Sequence, residues 1–483
     1  MPKKPTPSWE YSYLTLPAHF YAAAMPFSFP APQLVLQNNT LFQALNLPQV
    51  NAEDVTAFFL NPPVQQKGHP FAQAYAGHQF GGFTKLGDGR AIVLGEQVAA
   101  NGQRFDIQLK GAGKTMYSRG GDGKATLKSM LREYLISEAM QALNIPTSRS
   151  LAVMSTGELV PREKMHLGAV LVRVMKSHIR VGTFEYARHF GTTADLNALA
   201  DYTINRLYPH ISQHENTRLS LLTTVMNAQI DLVVNWMRVG FIHGVMNTDN
   251  VAISAETFDY GPCAFMNAYH PHTVFSSIDT QGRYAFGNQP KIAKWNVARF
   301  AEALLPILHT NPQQALLLAQ QTIDGFDALW KEKYNAMMLR KLGIQNGEDS
   351  QVSLAHSLLH LMQKHQMDYT NTFLALTKNT LSNVEPTNSP EFKAWHSDYK
   401  GVIDATVGAE QAALVMAQTN PAIIPRNHVV EEALDAAADG NLGLLNKLLE
   451  LLKTPYNHHD SLTYCGAPPS ASFEAEYATF CGT

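Results

Sequence analysis

Apolar and polar residues alternate in several short segments of the first half of this chain. RAIVLGE (90–96) and RFDIQLK (104–110) are predicted strands, and the alternation of the second places Lys110 on its polar face. GAVLVRVM (168–175) is a third predicted strand, with Arg173 on the side opposite its valines. Residues from about 70 to 180 are therefore expected to form a sheet connected by glycine-rich loops.

Helical periodicity replaces this alternation further along the chain. TLKSMLREYLISEAMQALN (126–144) is a predicted amphipathic helix, with Glu133 at the border of its apolar face. The segment 217–239 is a second, long predicted helix that Gly240 closes. The chain after residue 290 is also helical in pattern, and we expect it to act as scaffold.

Length and composition describe an ordinary globular chain. It has 483 residues, 45% of them hydrophobic, and a formal net charge of -3. Nucleic-acid binding requires a basic face, so this charge argues against such a partner. No stretch reaches the apolar length that a membrane helix needs, and we expect a cytoplasmic protein without a membrane partner.

The three cysteines do not form a disulfide framework and do not have the spacing of a metal site. They are Cys263, Cys465 and Cys481. Unpaired thiols are the simplest expectation, and a regulatory disulfide among them stays open.

HGVMNTDN (243–250) has the outline of a phosphotransferase catalytic loop, H-R-D-x-x-x-x-N. Asn250 stands where that template places its metal-binding Asn, but Val245 replaces the Asp, and the carboxylate of the stretch is Asp249. Asp259 follows in the tripeptide DYG, in the order in which kinases present their second metal ligand.

Each motif has a simpler interpretation. His243 taken alone is expected to be a packed, hydrogen-bonded core residue. LKGAGKT (109–115) is not a P-loop, because that motif needs Gly at the position of Gln108. AGHQFGGFTKLGDGR (76–90) taken alone indicates a tight hairpin turn.

The order of these features carries more weight than any one of them. A glycine-rich segment precedes Lys110, which is followed by Glu133, a long helix, Asn250 and Asp259. Phosphoryl and nucleotidyl transfer need a lysine held by a carboxylate and oxygen ligands for Mg²⁺. This order supplies both.

Several long motifs closely resemble the selenoprotein O (SelO) family of kinase-fold pseudokinases, and the likeness covers most of the chain. The motifs are YAGHQFGGFTKLGDGRAIVLGE, DIQLKGAGKTMYSRGGDGKATLKSMLREYLISEAM, LVRVMKSHIRVGTFE, GFIHGVMNTDNVAISAETFDYGP, QGRYAFGNQP, RKLGI and NPAIIPRNHVVEEAL. The resemblance implies protein adenylylation, in which AMP moves from ATP to a Ser, Thr or Tyr hydroxyl of another protein. It also implies that ATP binds flipped relative to active kinases. The eukaryotic members end in a selenocysteine motif, whereas this chain ends FCGT, which puts a redox role of the tail in doubt.

The resemblance also implies a role for each matching residue. Asp249 would be the proton acceptor, Asn250 and Asp259 the ligands of Mg²⁺ or Mn²⁺, and Glu133 the partner of Lys110. The residues expected to contact the nucleotide are Gly87, Gly89, Arg90, Lys110, Asp122, Gly123, Arg173, Arg180 and Asp259.

We therefore expect an α+β, protein-kinase-like two-lobed fold. Residues 1–65 would be an N-terminal extension, 66–180 a nucleotide-binding N-lobe, and 181–483 an enlarged helical C-lobe with the catalytic loop. The expected activity is metal-dependent AMP transfer to protein hydroxyls, and self-modification stays open. Two alternatives stay open: a catalytically silent ATP-binding scaffold, and a protein uridylyltransferase that uses UTP and manganese.

Overall fold

The computed structural model describes residues 9–48, 50–62, 68–345, 347–381, 387–458 and 466–480. Cys465 and Cys481, two of the three candidates for a disulfide, lie outside these residues. Cys263 is a buried free thiol.

The strands are short in the first part of the chain and longest in the hairpin of residues 149–175. They are β1 Tyr21–Ala23, β2 Gln33–Gln37, β3 Phe71–Gln79, β4 Gly82–Gly87, β5 Ala91–Val98, β6 Arg104–Lys110, β7 Ala125–Thr126, β8 Arg149–Pro161, β9 Met165–Met175, β10 Phe241–Ile242 and β11 Ala264–Phe265.

Helices dominate after β9. They are α1 Asn39–Ala44, α2 Ala52–Leu60, α3 Leu127–Ala142, α4 Val181–Phe190, α5 Thr193–Leu207, α6 Thr217–Arg238, α7 Gln289–Leu308, α8 Pro312–Asp324, α9 Phe326–Lys341, α10 Asp349–Lys364, α11 Tyr369–Thr377, α12 Pro390–Thr406, α13 Ala409–Thr419, α14 Asn427–Ala438, α15 Gly443–Leu452 and α16 Ala471–Glu476.

One antiparallel sheet organises the first part of the chain, in the order β1-β3-β5-β6-β9-β8-β2, with β4 paired to β3 and β7 to β9. Strands β5, β6 and β9 confirm the three predicted from alternation. Strand β8 was not predicted. The edge strands β1 and β2 come from the segment expected to be an N-terminal extension, so part of that segment completes the sheet.

The glycine-dense stretch 76–90 is mostly a hairpin of β3 and β4, with its turn at Phe80 and Gly81, which both have positive φ. Glycine is rare in strands, and it is tolerated there where another backbone approaches closely. A Cβ at position 77 would lie 2.6 Å from an Asp249 carboxylate oxygen. This hairpin is therefore in direct contact with the catalytic loop.

Helix α3 packs against β8 and β9 and carries Glu133 into the interior. The Thr126 hydroxyl caps the helix by accepting from the Ser129 backbone N–H, as its position before the apolar run predicted. Glu133 is buried, although the sequence placed it at the border of the apolar face.

Helix α6 leads into the catalytic loop. It ends before Gly240, whose φ of 74° is the left-handed conformation that the sequence predicted there. The loop 243–250 then lies between β10 and β11, which pair antiparallel.

The fold is thus α+β and kinase-like in its order: an antiparallel sheet with one helix packed on it, then a helical part that carries the catalytic loop. Within the described residues, no helix has the length and hydropathy needed to cross a membrane.

Candidate active site

A cavity of about 1070 Å³ brings together side chains from the sheet, from helix α3 and from the catalytic loop. Five of the predicted site residues line one part of it: Lys110, Glu133, Asp249, Asn250 and Asp259. They come from positions up to 149 residues apart, and the fold alone makes them neighbours. Arg90 lines the same cavity.

Two cations and two carboxylates form a network at the back of the cavity. The Lys110 ammonium donates to Glu133 at 2.7 Å and to Asp259 at 2.5 Å. The Arg173 guanidinium donates to the other Glu133 oxygen at 2.5 and 2.8 Å and to Asp259 at 2.9 Å. Arg173 and Gln108 are partners across β6 and β9, and the arginine also donates to the glutamine oxygen at 3.2 Å.

This network fixes the ionisation of both carboxylates. Burial would raise the pKa of Glu133, but Arg173 and Lys110 outweigh it and hold that pKa below its usual value. Burial also opposes ionisation of Asp259, yet Lys110 and Arg173 keep its pKa well below the usual range. Asp259 is therefore a permanent anion in the cavity wall.

Asp249 has the opposite environment. It is 7% exposed, and its Oδ1 atom is buried without a hydrogen-bond partner. Burial raises the pKa of this carboxyl to about 6, against the opposing effect of Arg180. A carboxylate of this kind can accept a proton near neutral pH, as general-base catalysis requires.

Backbone and side-chain groups hold the loop around Asp249 in place. The Thr248 hydroxyl accepts from the His78 backbone N–H at 2.7 Å. The Asn247 side-chain oxygen accepts from the Phe80 backbone N–H at 3.0 Å and from the Tyr284 hydroxyl at 2.6 Å. The β3–β4 hairpin and the segment before α7 thus fix the residues that precede Asp249.

His243 is a packed core residue, which confirms its simpler interpretation. It is 1% exposed, its Nε2 atom lies 3.1 Å from the Phe258 carbonyl oxygen, and burial lowers its pKa. Val245, at the position of the kinase Asp, is buried in the cavity wall.

Arg180 lies behind the cavity and is not part of its wall. Its guanidinium donates to Asp88 at 3.0 Å and to the Asp249 main-chain oxygen at 3.2 Å, and it stacks 4.1 Å from the centre of the Tyr75 ring. Asp88 was not singled out in the sequence, although it stands between the predicted Gly87 and Gly89. Arg180 therefore links the KLGDGR motif to the catalytic loop.

The predicted glycines serve packing in this structure. A Cβ at Gly87 would lie 2.3 Å from the Tyr117 ring, and one at Gly89 would lie 2.9 Å from the Tyr117 main-chain oxygen. Gly123 has a φ of 71°, and a Cβ there would lie 2.2 Å from the Gly113 main chain. These three glycines permit close packing of loops and do not line the cavity.

Asp122 is also outside the cavity wall, but its partner is part of it. Arg162 lines the cavity and donates to Asp122 at 2.7 Å, and this bond lowers the pKa of the Asp122 carboxyl. Sequence reasoning missed Arg162, because nothing in the local pattern of the β8–β9 hairpin shows that it reaches the site.

The oxygen ligands expected for a divalent cation are present. Asn250 donates its amide N–H to the Val245 carbonyl oxygen at 3.2 Å, so its side-chain oxygen is the end available to a ligand. Asp259 adds a carboxylate on the same cavity wall. Mg²⁺ is commonly held by one or two protein oxygens together with substrate phosphates, and this pair fits that mode. The described residues contain no cluster of three or more His, Cys, Asp or Glu side chains that could hold a metal without such phosphates.

The C-terminal segment supplies residues that the sequence did not indicate. The stretch 476–480 and Phe473 line the cavity. Thr479 donates to the Pro262 carbonyl oxygen at 2.7 Å, directly after the DYG tripeptide, and its backbone N–H donates to Phe275. Tertiary contacts between segments far apart in the chain bring these residues to the site.

Comparison with known proteins gives a consistent family. Residues 6–453 match the model of the family described as Protein adenylyltransferase SelO. The chain is similar to a protein nucleotidyltransferase YdiU of Bacillus cereus, with 51% identity over 479 residues that cover 98% of each chain. It is also 51% identical over 477 residues to the protein of the same name from Bacillus thuringiensis (strain Al Hakam), covering 98% of this chain and 97% of the relative.

Two solved structures from Toxoplasma gondii are distant matches. One is a rhoptry antigen kinase domain, 10% identical, covering 69% of this chain and 88% of its own, with a TM-score of 0.24. The other is ROP2, described as a virulence factor with a protein-kinase fold and no enzymatic activity. It is 10% identical and covers 77% and 94% of the two chains, with a TM-score of 0.26.

Proposed function

This chain belongs to the SelO family of protein adenylyltransferases, and from that premise we propose that it transfers AMP from ATP to Ser, Thr or Tyr hydroxyls of proteins. Family membership makes it a nucleotidyltransferase whose substrates are proteins. The hydroxyl acceptor, self-modification, the divalent metal and a cytoplasmic location are parts of the proposal.

The observation that carries the proposal is the contrast between two carboxylates in one cavity. Asp259 is held ionised by Lys110 and Arg173, which suits an anion that stays charged beside a metal and phosphates. Asp249 has no cation on its Oδ1 atom and a pKa of about 6, which suits a group that takes up a proton. When the pKa values of two titratable groups in one site are shifted in opposite directions, one group commonly has an electrostatic role and the other an acid–base role.

In the proposed reaction the substrate hydroxyl oxygen attacks the α-phosphorus of ATP. A new O–P bond forms, the bond from the α-phosphorus to the β-phosphate oxygen breaks, and pyrophosphate leaves with the electron pair. Asp249 accepts the hydroxyl proton, and Lys110 and Arg90 face the charge that develops on the phosphates. Asn250 and Asp259 would hold Mg²⁺ or Mn²⁺, which neutralises phosphate charge when bound.

Val245 supports the flipped orientation of the nucleotide. In a kinase the Asp at this position accepts the proton during attack on the γ-phosphorus. A buried valine cannot do so, and the carboxylate of the loop is Asp249, four residues later. Attack on the α-phosphorus near Asp249 is the chemistry that fits this displacement.

The test is incubation of the protein with ATP labelled at either the α- or the γ-phosphate, in the presence of Mg²⁺ or Mn²⁺. α-Label should appear on protein, including the enzyme itself, and γ-label should not. A parallel reaction with α-labelled UTP tests the uridylylation alternative under the same conditions. Lys331→Ala, a change of an exposed lysine on α9 outside the cavity wall, is the matched control and should retain full transfer.

Transfer of γ-label would overturn the flipped-nucleotide mechanism. If no protein is labelled from α-labelled ATP or from α-labelled UTP, the silent scaffold is favoured. A strong preference for α-labelled UTP would show that UMP, and not AMP, is the transferred group.

A further inference from the structure

Three phenylalanine rings lie exposed beside the catalytic loop. Phe80, Phe83 and Phe190 are 42%, 39% and 45% exposed, and we name them the aromatic rim. The rings of Phe83 and Phe190 are stacked at 6.3 Å, and the Phe80 ring lies 5.3 Å from that of Tyr284. Single exposed apolar residues are common, but a group of large rings on one surface marks an interaction site.

Further rings connect the members of the aromatic rim. His78 contacts the Phe83 ring at 5.2 Å and the Trp295 ring at 5.4 Å. Arg283 then lies over Trp295 at 4.8 Å and over Tyr284 at 5.6 Å, and Tyr284 contacts Phe80. Tyr284 is buried, so it links these rings from beneath, and at the surface Phe80 and Arg283 line one groove.

Cations border this surface. The Lys85 ammonium lies 4.9 Å from the centre of the Phe190 ring, and Arg283 lies between the Trp295 and Tyr284 rings. The chain as a whole has a formal net charge of -3, so this basic border is a local feature.

Two carboxylates of this region point inward, and a third, the exposed Glu302, is paired with Arg299, which lies 5.5 Å from the centre of the Trp295 ring. Glu185 is 3% exposed, and its Oε1 atom lies 2.5 Å from the His78 ring nitrogen. Asp279 is buried and accepts from the backbone N–H groups of Arg283 and Tyr284 at 2.8 and 2.7 Å. The surface therefore presents positive charge to a partner.

The aromatic rim is continuous with the catalytic cavity. The Phe80 backbone N–H donates to Asn247, two residues before Asp249. The preceding residue, Gln79, lines the cavity together with Asp249. A peptide lying on the rim thus reaches the cavity at the carboxylate that accepts the proton.

We propose that the aromatic rim, with Lys85 and Arg283, docks an acidic, aromatic-containing segment of the protein substrate, from which the hydroxyl enters the cavity at Asp249. The proposal rests on the proposed function for the role of the hydroxyl. Docking itself needs no nucleotide and can be measured separately. Aromatic rings contribute contact area at low entropic cost, while the charges select the partner and speed its association.

The experiment uses an arrayed library of short fluorescent peptides, each with one central Tyr, Ser or Thr. The flanking positions carry Glu, Gln or Lys, and one Phe is placed at varied distances from the hydroxyl residue. Binding to the full-length protein without nucleotide is followed by fluorescence anisotropy at low and at high salt. Wild-type protein should prefer the Glu-flanked peptides, and high salt should reduce that preference.

Two double variants test the two parts of the surface. Lys85→Glu with Arg283→Glu should weaken binding of Glu-flanked peptides by about tenfold and shift preference to Lys-flanked peptides. Phe83→Ala with Phe190→Ala should weaken binding of all Phe-containing peptides. The matched controls are Lys331→Glu and Leu316→Ala, which change an exposed lysine on α9 and a 58% exposed leucine on α8. Melting temperature and ATP affinity confirm that each variant is folded.

Reversal of the charge preference in the first variant, with unchanged controls, supports the proposal. It is overturned if no peptide of the library binds, if Glu- and Gln-flanked peptides bind equally, or if the rim variants bind as the controls do. Tighter binding of a single-stranded oligonucleotide than of any peptide would also overturn it. Charge-dependent peptide binding without transfer of α-label would leave the docking surface intact and refute the proposed function instead.

Discussion

Replacing Asp249 with Asn should slow catalysis strongly and at the same time stabilise the protein above pH 6. The Asp249 carboxyl is buried, and burial raises its pKa from 3.8 to about 6. At 1.36 kcal/mol for each pH unit, this difference corresponds to about 3 kcal/mol. The folded protein must bear this cost whenever the group is ionised.

The direction of the stability change with pH follows from proton linkage. An Asp whose pKa is higher in the folded state holds its proton there between about pH 4 and 6, while the unfolded chain releases it. The stabilisation from this group is therefore complete below pH 4 and is lost as the pH rises through 6. Asparagine does not ionise. The free energy of unfolding of Asp249→Asn should therefore exceed that of the wild type by up to about 3 kcal/mol at pH 8 and should equal it at pH 4.

Catalysis should change in the opposite direction. If Asp249 accepts the hydroxyl proton, kcat/KM of the wild type should fall as the pH falls through about 6. The Asn variant should lose about 10²- to 10⁴-fold in kcat, the usual contribution of a general base, and should bind ATP with little change. The β3–β4 hairpin that holds the loop is untouched by this substitution.

The assays are urea unfolding at pH 4 and pH 8 in the presence of a chelator, α-label transfer from pH 5 to 9, and calorimetry with ATP. Asp259→Asn is the comparison variant for the unfolding assay, because it changes a second carboxylate of the same cavity whose pKa is shifted in the opposite direction, and Lys331→Ala is the control for transfer. A wild-type rate independent of pH between 5 and 8 would refute the base assignment. If Asp249→Asn is no more stable than the wild type at pH 8, burial of the ionised Asp249 carboxylate does not destabilise the folded protein.

The remaining predictions concern the neighbours of Asp249. Asp259→Asn should nearly abolish transfer and weaken Mn²⁺ binding. It should also destabilise the protein at pH 7, and by progressively less as the pH falls below 4, because Lys110 and Arg173 lower the pKa of Asp259 in the folded state. Retained activity with Mg²⁺ or Mn²⁺ would contradict the metal assignment. Arg173→Ala should lower the free energy of unfolding in urea by about 3–5 kcal/mol, because it removes a cation from a buried network. Calorimetry should also find weaker ATP binding. If both the stability and the ATP affinity are unchanged, Arg173 lies outside the site. Val245→Asp restores the kinase residue but should not produce γ-label transfer, since the γ-phosphate points away in the flipped orientation; γ-label on protein would contradict that orientation.

Local patterns in the sequence predicted the elements that carry the site. Alternation over 104–110 placed Lys110 on the polar face of β6, and helical periodicity with the Thr126 cap predicted α3 and Glu133. The elements could be predicted because their periodicity is local, but Lys110 and Glu133 are both buried, since each is paired with opposite charge that periodicity does not show. The family resemblance added further candidate site residues, to which the local sequence pattern alone assigned no role.

The contacts between elements could not be predicted in the same way. Strand β8 and the β3–β4 hairpin contain glycines that lower strand propensity, and in the hairpin the glycine at position 77 reflects close approach. A Cβ at Gly182 would lie 2.0 Å from the Ala76 carbonyl oxygen, and one at Gly77 would lie 2.6 Å from Asp249. Neither restriction is visible until the partner segment is known.

Asp88 is a charged residue whose contact with a distant segment could not be predicted from the sequence. Its short sequence context, a carboxylate between two glycines, is typical of a turn. The structure instead buries it to 2% exposure beside Arg180, which in turn contacts the main chain of Asp249. A buried carboxylate of this kind is stable only with its cation, and that cation comes from 92 residues further along the chain.

The arrangement of the buried cations also bears on how ATP would be bound. Without nucleotide, Lys110 and Arg173 both donate to the same Asp259 oxygen. A metal bound at Asp259 would compete with these donors for the carboxylate, and phosphate oxygens would offer Lys110 new acceptors. Glu133 contacts both cations through its two oxygens and keeps them in place during such an exchange. Charge is therefore balanced in the buried network without nucleotide, and Asp249, whose carboxylate accepts no hydrogen bond from Lys110 or Arg173, has the raised pKa that a proton acceptor needs.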